Sequence, residues 1–367
     1  MINELSHYKG QRMIVAMSGG VDSSVVAALL KQAGADIIGV FLNVWDYSRD
    51  DVCGHGSCCS TEDSYDARRV ADMLNIPFYN MDMREAFRQD VIEPFIQDYT
   101  NGRTPNPCER CNRFIKFGAL LKVADELEAT YIATGHYVQR QDDADGIHIL
   151  RGEDENKDQT YFLATLNQTQ AHRVVFPVGH LCKDETRKLA ESFQLPTAQK
   201  AESQDICFIP NGDRVGFLRQ QKELAGLKEG NIVDGKGSIL GHHKGIAYYT
   251  LGQRKGLGLS GGPWQVIGLD KDKAEVLIAP ARKASVIRLK VNESHWLRQP
   301  KSDQVGIKTR YRSAISPCTI TQKEDYIDVV FSQAQAPTAP GQVAAFYDGQ
   351  ELLGGGIIQQ VYHQESS

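Results

Sequence analysis

The arrangement of apolar and polar positions changes along the chain, from strands that alternate with helices to strands alone. In the first part, short apolar runs typical of buried strands precede segments with helical periodicity. The predicted strands cover residues 13–17, 36–45, 76–82 and 130–137, and the predicted helices cover residues 21–32, 61–74 and 114–128. This alternation predicts an α/β fold in which helices cover both faces of a doubly wound parallel sheet. Ligands of such sheets bind beyond the carboxyl ends of the strands.

The pattern is different after about residue 210. A short helix is predicted over residues 212–224, and glycines are then dense between Gly226 and Gly268, with short strands between turns. From about residue 275 onwards short alternating strands dominate, as in a small antiparallel barrel or sandwich. A chain of 367 residues is too long for one comfortable core. We therefore predict an α/β domain at residues 1–210, a small, mostly β linking domain at 211–274 and a C-terminal antiparallel β-barrel at 275–367.

Composition narrows the class of protein. Apolar residues make up 41% of the chain, but no apolar run reaches the ~18–20 residues that would span a bilayer. The first residues lack the charged-then-apolar pattern of a secretory signal. We expect a cytoplasmic protein that does not enter membranes, with a monomer as its oligomeric state.

Cysteine is the residue type that carries most of the candidate chemistry. The eight cysteines are Cys53, Cys58, Cys59, Cys108, Cys111, Cys182, Cys207 and Cys318. In a long cytosolic chain they are reduced at rest, so metal binding or catalysis is favoured over a disulfide framework. We expect Cys182 and Cys318 to be packing residues.

The net charge of −5 argues against a nucleic-acid partner, but a net charge averages over domains. Between Arg282 and Arg312 nine basic residues face only two acidic ones, which gives the segment a charge of +7. From the residues alone, this segment is either a solvated strand face or a surface for an anionic partner.

The strongest local signal is the run Ser18-Gly19-Gly20-Val21-Asp22-Ser23, which follows a buried strand and opens a helix. The glycines let the backbone approach a phosphate, while serine hydroxyls and the N–H groups of the first helical turn supply donors. Asp22 can assist through Mg²⁺ or by capping. No lysine follows the glycines, so this is not the GxxxxGK[ST] loop, and it is not GxGxxG either. The alternative is an ordinary glycine turn.

The SGGxDS pattern resembles the pyrophosphate loop of the ATP pyrophosphatases. This resemblance implies that ATP, with Mg²⁺, is split into AMP and pyrophosphate to adenylate an oxygen. The implied ATP contacts are Ala16, Met17, Ser18, Gly19, Gly20, Val21, Asp22, Ser23, Leu42 and Gly135.

The stretch "PNPCERCN" (105–112) places Cys108 and Cys111 three residues apart. By itself this spacing suits half a zinc site, a thioredoxin-like redox pair, part of an iron–sulfur site, or one reactive cysteine with a neighbour. Arg110, Arg113 and Lys116 are close in sequence and can lower the thiol pKa of Cys111.

Longer motifs favour one family. They are NPCERCNRFIKFG (106–118), ATGHY (133–137), KDQTYFL (157–163), SQDICFIP (203–210), TLGQRKGLG (250–258), RYR (310–312) and PGQ (340–342). Over essentially its whole length the sequence resembles the bacterial tRNA-specific 2-thiouridylases. The resemblance implies ATP-dependent 2-thiolation of the wobble uridine, U34, of tRNA. Its products would be 2-thiouridine, AMP and pyrophosphate.

The resemblance also implies roles for particular residues. Cys111 matches the family's nucleophile, and Cys207 matches the cysteine that carries a persulfide. The stretch that meets the target base is matched by Asn106, Pro107 and Cys108. The tRNA contacts are matched by His136, Lys157, Asp158, Gln159, Arg310, Tyr311 and Gln342. The implied partners are the tRNAs for Lys, Glu and Gln, and a cysteine desulfurase or persulfide carrier that donates sulfur.

Cys108 departs from the family pattern, because many relatives carry aspartate there. Cys108, Cys111 and Cys207 together offer three thiolates, which could hold a [4Fe–4S] cluster with one iron open for hydrosulfide. Sulfur would then be carried on the cluster instead of on Cys207. A further alternative is a four-ligand structural zinc site in which the stretch with Cys53, His55, Cys58 and Cys59 pairs with Cys108 and Cys111.

Two other classes of protein explain part of the sequence. An amide-forming ATP pyrophosphatase that acts on a small molecule would explain the phosphate loop but neither the Cys111 and Cys207 pair nor the basic segment. A non-catalytic, zinc-binding RNA-binding protein would explain the cysteines and the basic segment but leave the phosphate loop without a purpose.

Overall fold

The computed structural model describes residues 5–45, 61–202, 206–221, 224, 227–281 and 285–363. Its helices are α1 (Val21–Gln32), α2 (Thr61–Met73), α3 (84–100), α4 (107–126), α5 (Gln168–Arg173), α6 (Lys183–Ser192) and α7 (Arg214–Arg219). The predicted zinc ligands Cys53, His55, Cys58 and Cys59 lie outside the described residues, as do positions 203–205 of the motif around Cys207.

The strands fall into three sheets. They are β1 (Arg12–Ala16), β2 (Asp36–Asn43), β3 (Phe78–Asp82), β4 (Tyr131–Ala133), β5 (Val138–Asp143), β6 (Gly146–Arg151), β7 (Val174–Val175), β8 (Gly230–Asp234), β9 (Ile239–His243), β10 (Trp264–Asp270), β11 (Glu275–Pro280), β12 (Val286–Trp296), β13 (Gln304–Lys308), β14 (Ser316–Gln322), β15 (Ile327–Gln335), β16 (Val343–Asp348) and β17 (Glu351–His363).

The N-terminal sheet has the strand order β3-β2-β1-β4-β7, and its pairings are parallel. Strand β1 alternates between two cores: Met13 and Val15 pack in the core that contains α1, and Ile14 packs in the core that contains the end of α4. Both faces of the strand are apolar because helices cover both of them. The predicted doubly wound α/β fold is confirmed.

Two helices differ from the sequence expectation. Helix α4 begins at Pro107 instead of residue 114, and its stretch Cys111–Ala119 is wound as a π-helix. Asn106 makes the earlier start possible, because its side-chain oxygen accepts a hydrogen bond from the Glu109 N–H at 3.2 Å. Helix α3, which the sequence analysis does not predict, buries Phe87, Val91 and Phe95.

The central sheet has the strand order β10-β11-β8-β9. Strand β11, which the sequence analysis places in the C-terminal barrel, instead pairs with β8 and β10. Its Val276 and Ile278 are fully buried with Val266 in the core of the central sheet. The prediction that the barrel starts at residue 275 is therefore wrong for this strand, because burial of its apolar face joins it to the central sheet.

The C-terminal strands form a closed antiparallel barrel in the order β12-β15-β14-β13-β16-β17, and pairing of β17 with β12 closes it. The predicted barrel is thereby confirmed. A hairpin of the N-terminal region, β5–β6, extends the barrel sheet where Leu150 faces Glu351. Residues of the hairpin and the barrel share one core, which includes Val138, Tyr161 and Tyr347. This shared core joins the barrel to the domain that carries the phosphate loop.

Among the helices that the structure describes, we find none with the length and apolarity needed to cross a membrane.

Candidate functional site

The phosphate loop connects β1 to α1 at the carboxyl edge of the parallel sheet. Gly19 has a positive φ of 74°, and a side chain there would overlap the backbone of Asp63. The Ser23 hydroxyl accepts a hydrogen bond from the Ser18 N–H at 3.1 Å, which holds the loop folded over the helix start. Gly20, the N-cap of α1, provides no side-chain cap. The N–H groups of the first turn are thus available for an anionic ligand.

Gly135 brings a second strand end against this loop. It follows β4, and a side chain at this position would come within 2.9 Å of the Asp22 Cβ and of the Ser23 backbone nitrogen. Only glycine lets the ATGHY turn approach the first turn of α1 so closely. Leu42, at the end of β2, lines the same cavity as Gly135. The structure therefore brings together the predicted ATP contacts from three strand ends.

Lys183 reaches the phosphate loop from α6, although no sequence motif indicated it. Its ammonium group donates to both Asp22 carboxylate oxygens, at 2.7 and 2.9 Å, and the Tyr137 hydroxyl donates to Asp22 at 2.8 Å. The Lys183 side chain is only 10% exposed. The loop thus has the lysine that its sequence lacks, supplied from 161 residues further along the chain.

Glu202 extends this charge network away from the loop. It lies 3.3 Å from the Lys183 ammonium and accepts a hydrogen bond from Lys157 at 2.6 Å. Partial burial opposes ionisation of Glu202, but the bonds from Lys157 and Lys183 prevail and lower its pKa. The network connects the phosphate loop with the 157–159 loop that the sequence analysis assigns to tRNA contact.

One cavity of about 340 Å³ lies at the carboxyl ends of the strands. Its lining contains the phosphate-loop residues Ala16, Met17, Ser18, Asp22 and Ser23, the predicted catalytic residues Cys111 and Cys207, and also Pro107, Cys108, Asn112, Lys116, His136, Gln159 and Phe162. The two predicted reactive cysteines are 96 residues apart in sequence but border the same space as the phosphate loop. The arrangement allows a nucleotide and a thiol to meet.

The π-helical winding of α4 decides which of its side chains face this cavity. In a π-helix the hydrogen bonds span five residues, and here the Leu120 N–H donates to the Ile115 carbonyl. Cys111 and Lys116, five apart, both line the cavity, whereas Ile115 is fully buried in the core. A lysine is thereby placed on the wall that carries Cys111.

His136 forms part of the cavity wall and is only 8% exposed. Its Nδ1 lies 2.8 Å from the Thr134 hydroxyl. Burial, together with the nearby Lys116 charge, holds the pKa of His136 well below its usual range. The ring is therefore neutral at physiological pH, and we expect it to act as a hydrogen-bonding group, not as a cation for RNA phosphates.

The predicted tRNA contacts in the 157–159 loop have different surroundings. Asp158 is 2% exposed, and its carboxylate accepts from the Thr160 hydroxyl at 2.8 Å and pairs with Arg151 and Lys308. Gln159 lines the cavity and accepts a hydrogen bond from the Tyr137 N–H at 2.9 Å. The Asp158 carboxylate is therefore engaged within the protein, and its predicted contact with tRNA stays a prediction.

A second cavity of about 430 Å³ lies where the barrel meets the other two regions. It is lined by Arg310 and Gln342 from the barrel, Thr250 to Gln253 from the central region, Thr104 and Ala339. Burial lowers the pKa of Arg310, which remains a cation. The Gln342 amide donates to the carbonyls of Thr104 and Pro105, at 2.9 and 3.2 Å. Gln342 therefore holds the backbone that leads into the 106–108 stretch.

The basic segment is less available than its +7 charge suggested. Arg288 pairs with Asp328 at 2.7 Å, Arg298 with Glu351 at 3.2 Å, and Lys308 with buried Asp158. Arg282 and Lys283 lie outside the described residues. Tyr311, in contrast, is half-buried and packs on Phe162 with ring centroids 4.6 Å apart. The charge of the segment is therefore partly neutralised within the protein. Arg310 lines the second cavity, and Tyr311 contacts Phe162 in the wall of the first cavity.

A metal ligand set is absent from the described part of the chain: no three His, Cys, Asp or Glu side chains in it converge in a way that could hold a metal ion. Cys108, Cys111 and Cys207 line one cavity but do not form such a group. The alternative in which these three thiolates hold a [4Fe–4S] cluster stays a prediction.

Comparison with known proteins gives consistent matches along the chain. Residues 11–211 match the family model described as "tRNA methyl transferase HUP domain". Residues 217–280 match the model "tRNA methyl transferase PRC-barrel domain", and residues 286–358 match the model "Aminomethyltransferase beta-barrel domain".

Curated relatives match over almost their full length. The tRNA-specific 2-thiouridylase MnmA of Geobacter metallireducens is 45% identical over 95% of this chain and 96% of its own. That of Streptococcus thermophilus is 43% identical over 96% of both chains. A solved 4-thiouridine synthetase–RNA complex with bound ATP aligns with 59% of this chain and 53% of its own chain. The identity is 14% and the TM-score is 0.35, so the structural similarity is weak. The near full-length relatives show that the chain belongs to the family of tRNA-specific 2-thiouridylases.

Proposed function

We propose that this protein catalyses the ATP-dependent 2-thiolation of uridine 34 in tRNA. The observation that carries the proposal is the single cavity that joins a phosphate loop to Cys111 and Cys207. A protein that only bound RNA would not need the phosphate loop. An amide-forming enzyme would not need Cys111 and Cys207. The relatives named tRNA-specific 2-thiouridylase support the same reaction.

The first step activates a poor electrophile. The C2 oxygen of uracil attacks the α-phosphorus of ATP, the bond to the β-phosphate breaks, and pyrophosphate leaves with its electron pair. Asp22, which also carries the Lys183 ammonium, would hold the Mg²⁺ that accompanies ATP, and the ion would neutralise phosphate charge there. Ser18, Ser23 and the start of α1 donate hydrogen bonds to the phosphates, while Lys183 adds a positive charge.

The second step transfers sulfur. The terminal sulfur of a persulfide on Cys207 attacks C2, and AMP leaves with the electrons of the C2–O bond. The Cys111 thiolate then attacks the Cys207 sulfur and breaks the S–S bond, so that the transferred sulfur remains on C2. A Cys111–Cys207 disulfide forms, and an external thiol reductant must reduce it before the next turnover.

The family resemblance implies the partners of this reaction. A cysteine desulfurase or a persulfide carrier reloads Cys207, and the tRNAs for Lys, Glu and Gln are the substrates. Tyr311 packs on Phe162 of the cavity wall, Arg310 lines the second cavity, and Lys157 lies two residues before Gln159 of the cavity wall. These positions support contact with the anticodon arm. Since enzymes that modify a base draw it out of the stack, the target uridine enters the cavity unpaired. The protein acts as a monomer in the cytoplasm.

The test uses purified protein, unmodified tRNA, ATP, Mg²⁺, a cysteine desulfurase and cysteine, with nucleoside mass spectrometry as the readout. We expect 2-thiouridine, with AMP and pyrophosphate formed in equal amounts. Cys111→Ser and Cys207→Ser abolish thiolation, whereas Cys182→Ser, at an exposed position outside the cavity lining, is the matched control. A product with the mass of an added methyl group, or ATP cleavage independent of tRNA, contradicts the proposal.

A further inference from the structure

Asn112 is a residue of the cavity wall whose side-chain amide is only partly hydrogen-bonded among the described residues. It follows Cys111 in α4, lines the cavity and is only 3% exposed. Its side-chain Nδ2 donates to the Phe162 carbonyl at 3.1 Å. Its Oδ1 is buried and has no hydrogen-bond partner among the described residues. A buried acceptor without a donor carries a free-energy cost, so its presence at a site wall calls for an explanation.

The orientation of the Asn112 amide is fixed by its surroundings. Exchanging the nitrogen and the oxygen would put Oδ1 against the Phe162 carbonyl oxygen, two acceptors in contact. The hydrogen-bond network thus assigns Nδ2 to Phe162 and leaves Oδ1 as an acceptor. A ligand that completes this site must supply an N–H or O–H donor.

We propose that Asn112 Oδ1 accepts a hydrogen bond from N3–H of the target uracil and thereby selects uracil over cytosine. This inference rests on the proposed function. Uracil presents one donor, N3–H, between two acceptor oxygens, whereas N3 of cytosine is itself an acceptor. An acceptor fixed in the cavity wall can bind N3–H of uracil. With cytosine, the lone pair of N3 would instead face the lone pair of Asn112 Oδ1.

The neighbouring side chains fit a uracil held in this way. Lys116, on the same wall, offers a donor for an oxygen beside N3. Phe162 offers a ring face for stacking and contacts Tyr311, a predicted tRNA contact. The C2 atom is bonded directly to N3, so a hydrogen bond at N3–H also fixes the reacting carbon near Cys111. Oδ1 is buried, so the base can reach it only when neighbouring side chains of the cavity wall change their rotamers.

The experiment compares three otherwise identical tRNAs, with uridine, N3-methyluridine or cytidine at position 34. Their binding is measured by competition, in the presence of a non-hydrolysable ATP analogue. We expect the wild-type protein to prefer uridine over each alternative by about tenfold or more. In Asn112→Ala, which removes the acceptor and leaves room for the methyl group, we expect the preference to fall to within about twofold.

Asn292 provides the matched control, because its Oδ1 also lacks a partner among the described residues but it does not line the cavity. Asn292→Ala should keep the wild-type preference. If Asn112→Ala loses cooperative thermal unfolding, Asn112→Val, which also lacks an acceptor, replaces it with the same expected result. Equal binding of the three tRNAs by the wild type, or an unchanged preference in the Asn112 variant, overturns the inference, while thiolation of the uridine tRNA keeps the proposed function. Failure of the wild type to thiolate any of these tRNAs overturns the proposed function instead.

Discussion

The phosphate loop and the loop around Asp158 are both rich in polar groups, but they differ in what those groups contact. Around Asp158 the carboxylate is buried and engaged by the Thr160 hydroxyl and two cations of the protein. At the start of α1, Gly20 provides no side-chain cap, and Asp22 and Ser23 of the first turn line a cavity. The comparison teaches that a polar motif stabilises the fold where its groups bond to other groups of the protein. It can bind a ligand where some of its hydrogen-bond donors have no such partner.

The largest effect is expected where the internal network is broken. Asp158→Asn leaves Arg151 and Lys308 without their buried counter-charge, and we expect a loss of about 3–5 kcal/mol in the free energy of unfolding. Urea denaturation measures this loss, with the exposed Asp303→Asn as the control. A stable Asp158→Asn protein that has lost its tRNA affinity would contradict our view of Asp158 as a structural residue.

The second largest effect is expected at the phosphate loop. Lys183→Met removes the cation that lies on Asp22, and we expect tRNA-dependent pyrophosphate release to fall by about a hundredfold. Lys188→Met, at an exposed position of the same helix, is the matched control. If Lys183→Met instead lowers stability and leaves pyrophosphate release per folded molecule unchanged, Lys183 belongs with Asp158 as a structural group.

Gln342 is intermediate between Asp158, which stabilises the fold, and Lys183, which lies at the phosphate loop. It holds the carbonyls of Thr104 and Pro105, which precede the helix with the cysteines. Gln342→Leu should loosen this stretch and lower the thiolation rate by about tenfold, with ATP affinity unchanged, because only the positioning of the base is affected. Single-turnover thiolation and ATP titration separate the two quantities. Loss of tRNA affinity without loss of the single-turnover rate would show that Gln342 contacts RNA directly.

The smallest effect is a pH dependence. The pKa of His136 is lowered in the folded state by burial and by Lys116, so below about pH 6.5 the unfolded chain binds the extra proton. Stability should therefore fall as the pH decreases through this range, by roughly 1 kcal/mol per pH unit from this group. His136→Gln should reduce that slope. Urea denaturation between pH 5.5 and 7.5 compares the two proteins, and an unchanged slope would exclude His136 as its source.

Much of the fold and part of the site could be predicted from local sequence. The strand, glycine loop and α1 helix are each specified within a few residues, and the motifs identified Cys111 and Cys207, which the structure places beside one cavity. The start of α4 at Pro107 was missed because the cap depends on the Asn106 side chain, and the chain after it reads equally well as a loop. Strand β11 was assigned to the wrong sheet, because an alternating apolar pattern specifies a buried face but not the strand that covers it.

The sequence by itself determined the strand and helix on either side of the phosphate loop, the loop itself and the family, since backbone preferences and hydrophobic periodicity act over short distances. Only the tertiary structure decided that Lys183 lies on Asp22, that Asp158 is buried under its loop and that Asn112 has an unused acceptor. The reason is physical: a polar side chain serves a ligand or the fold according to which groups are its neighbours. In these three cases the neighbours lie 50, 150 and 161 positions away in the sequence.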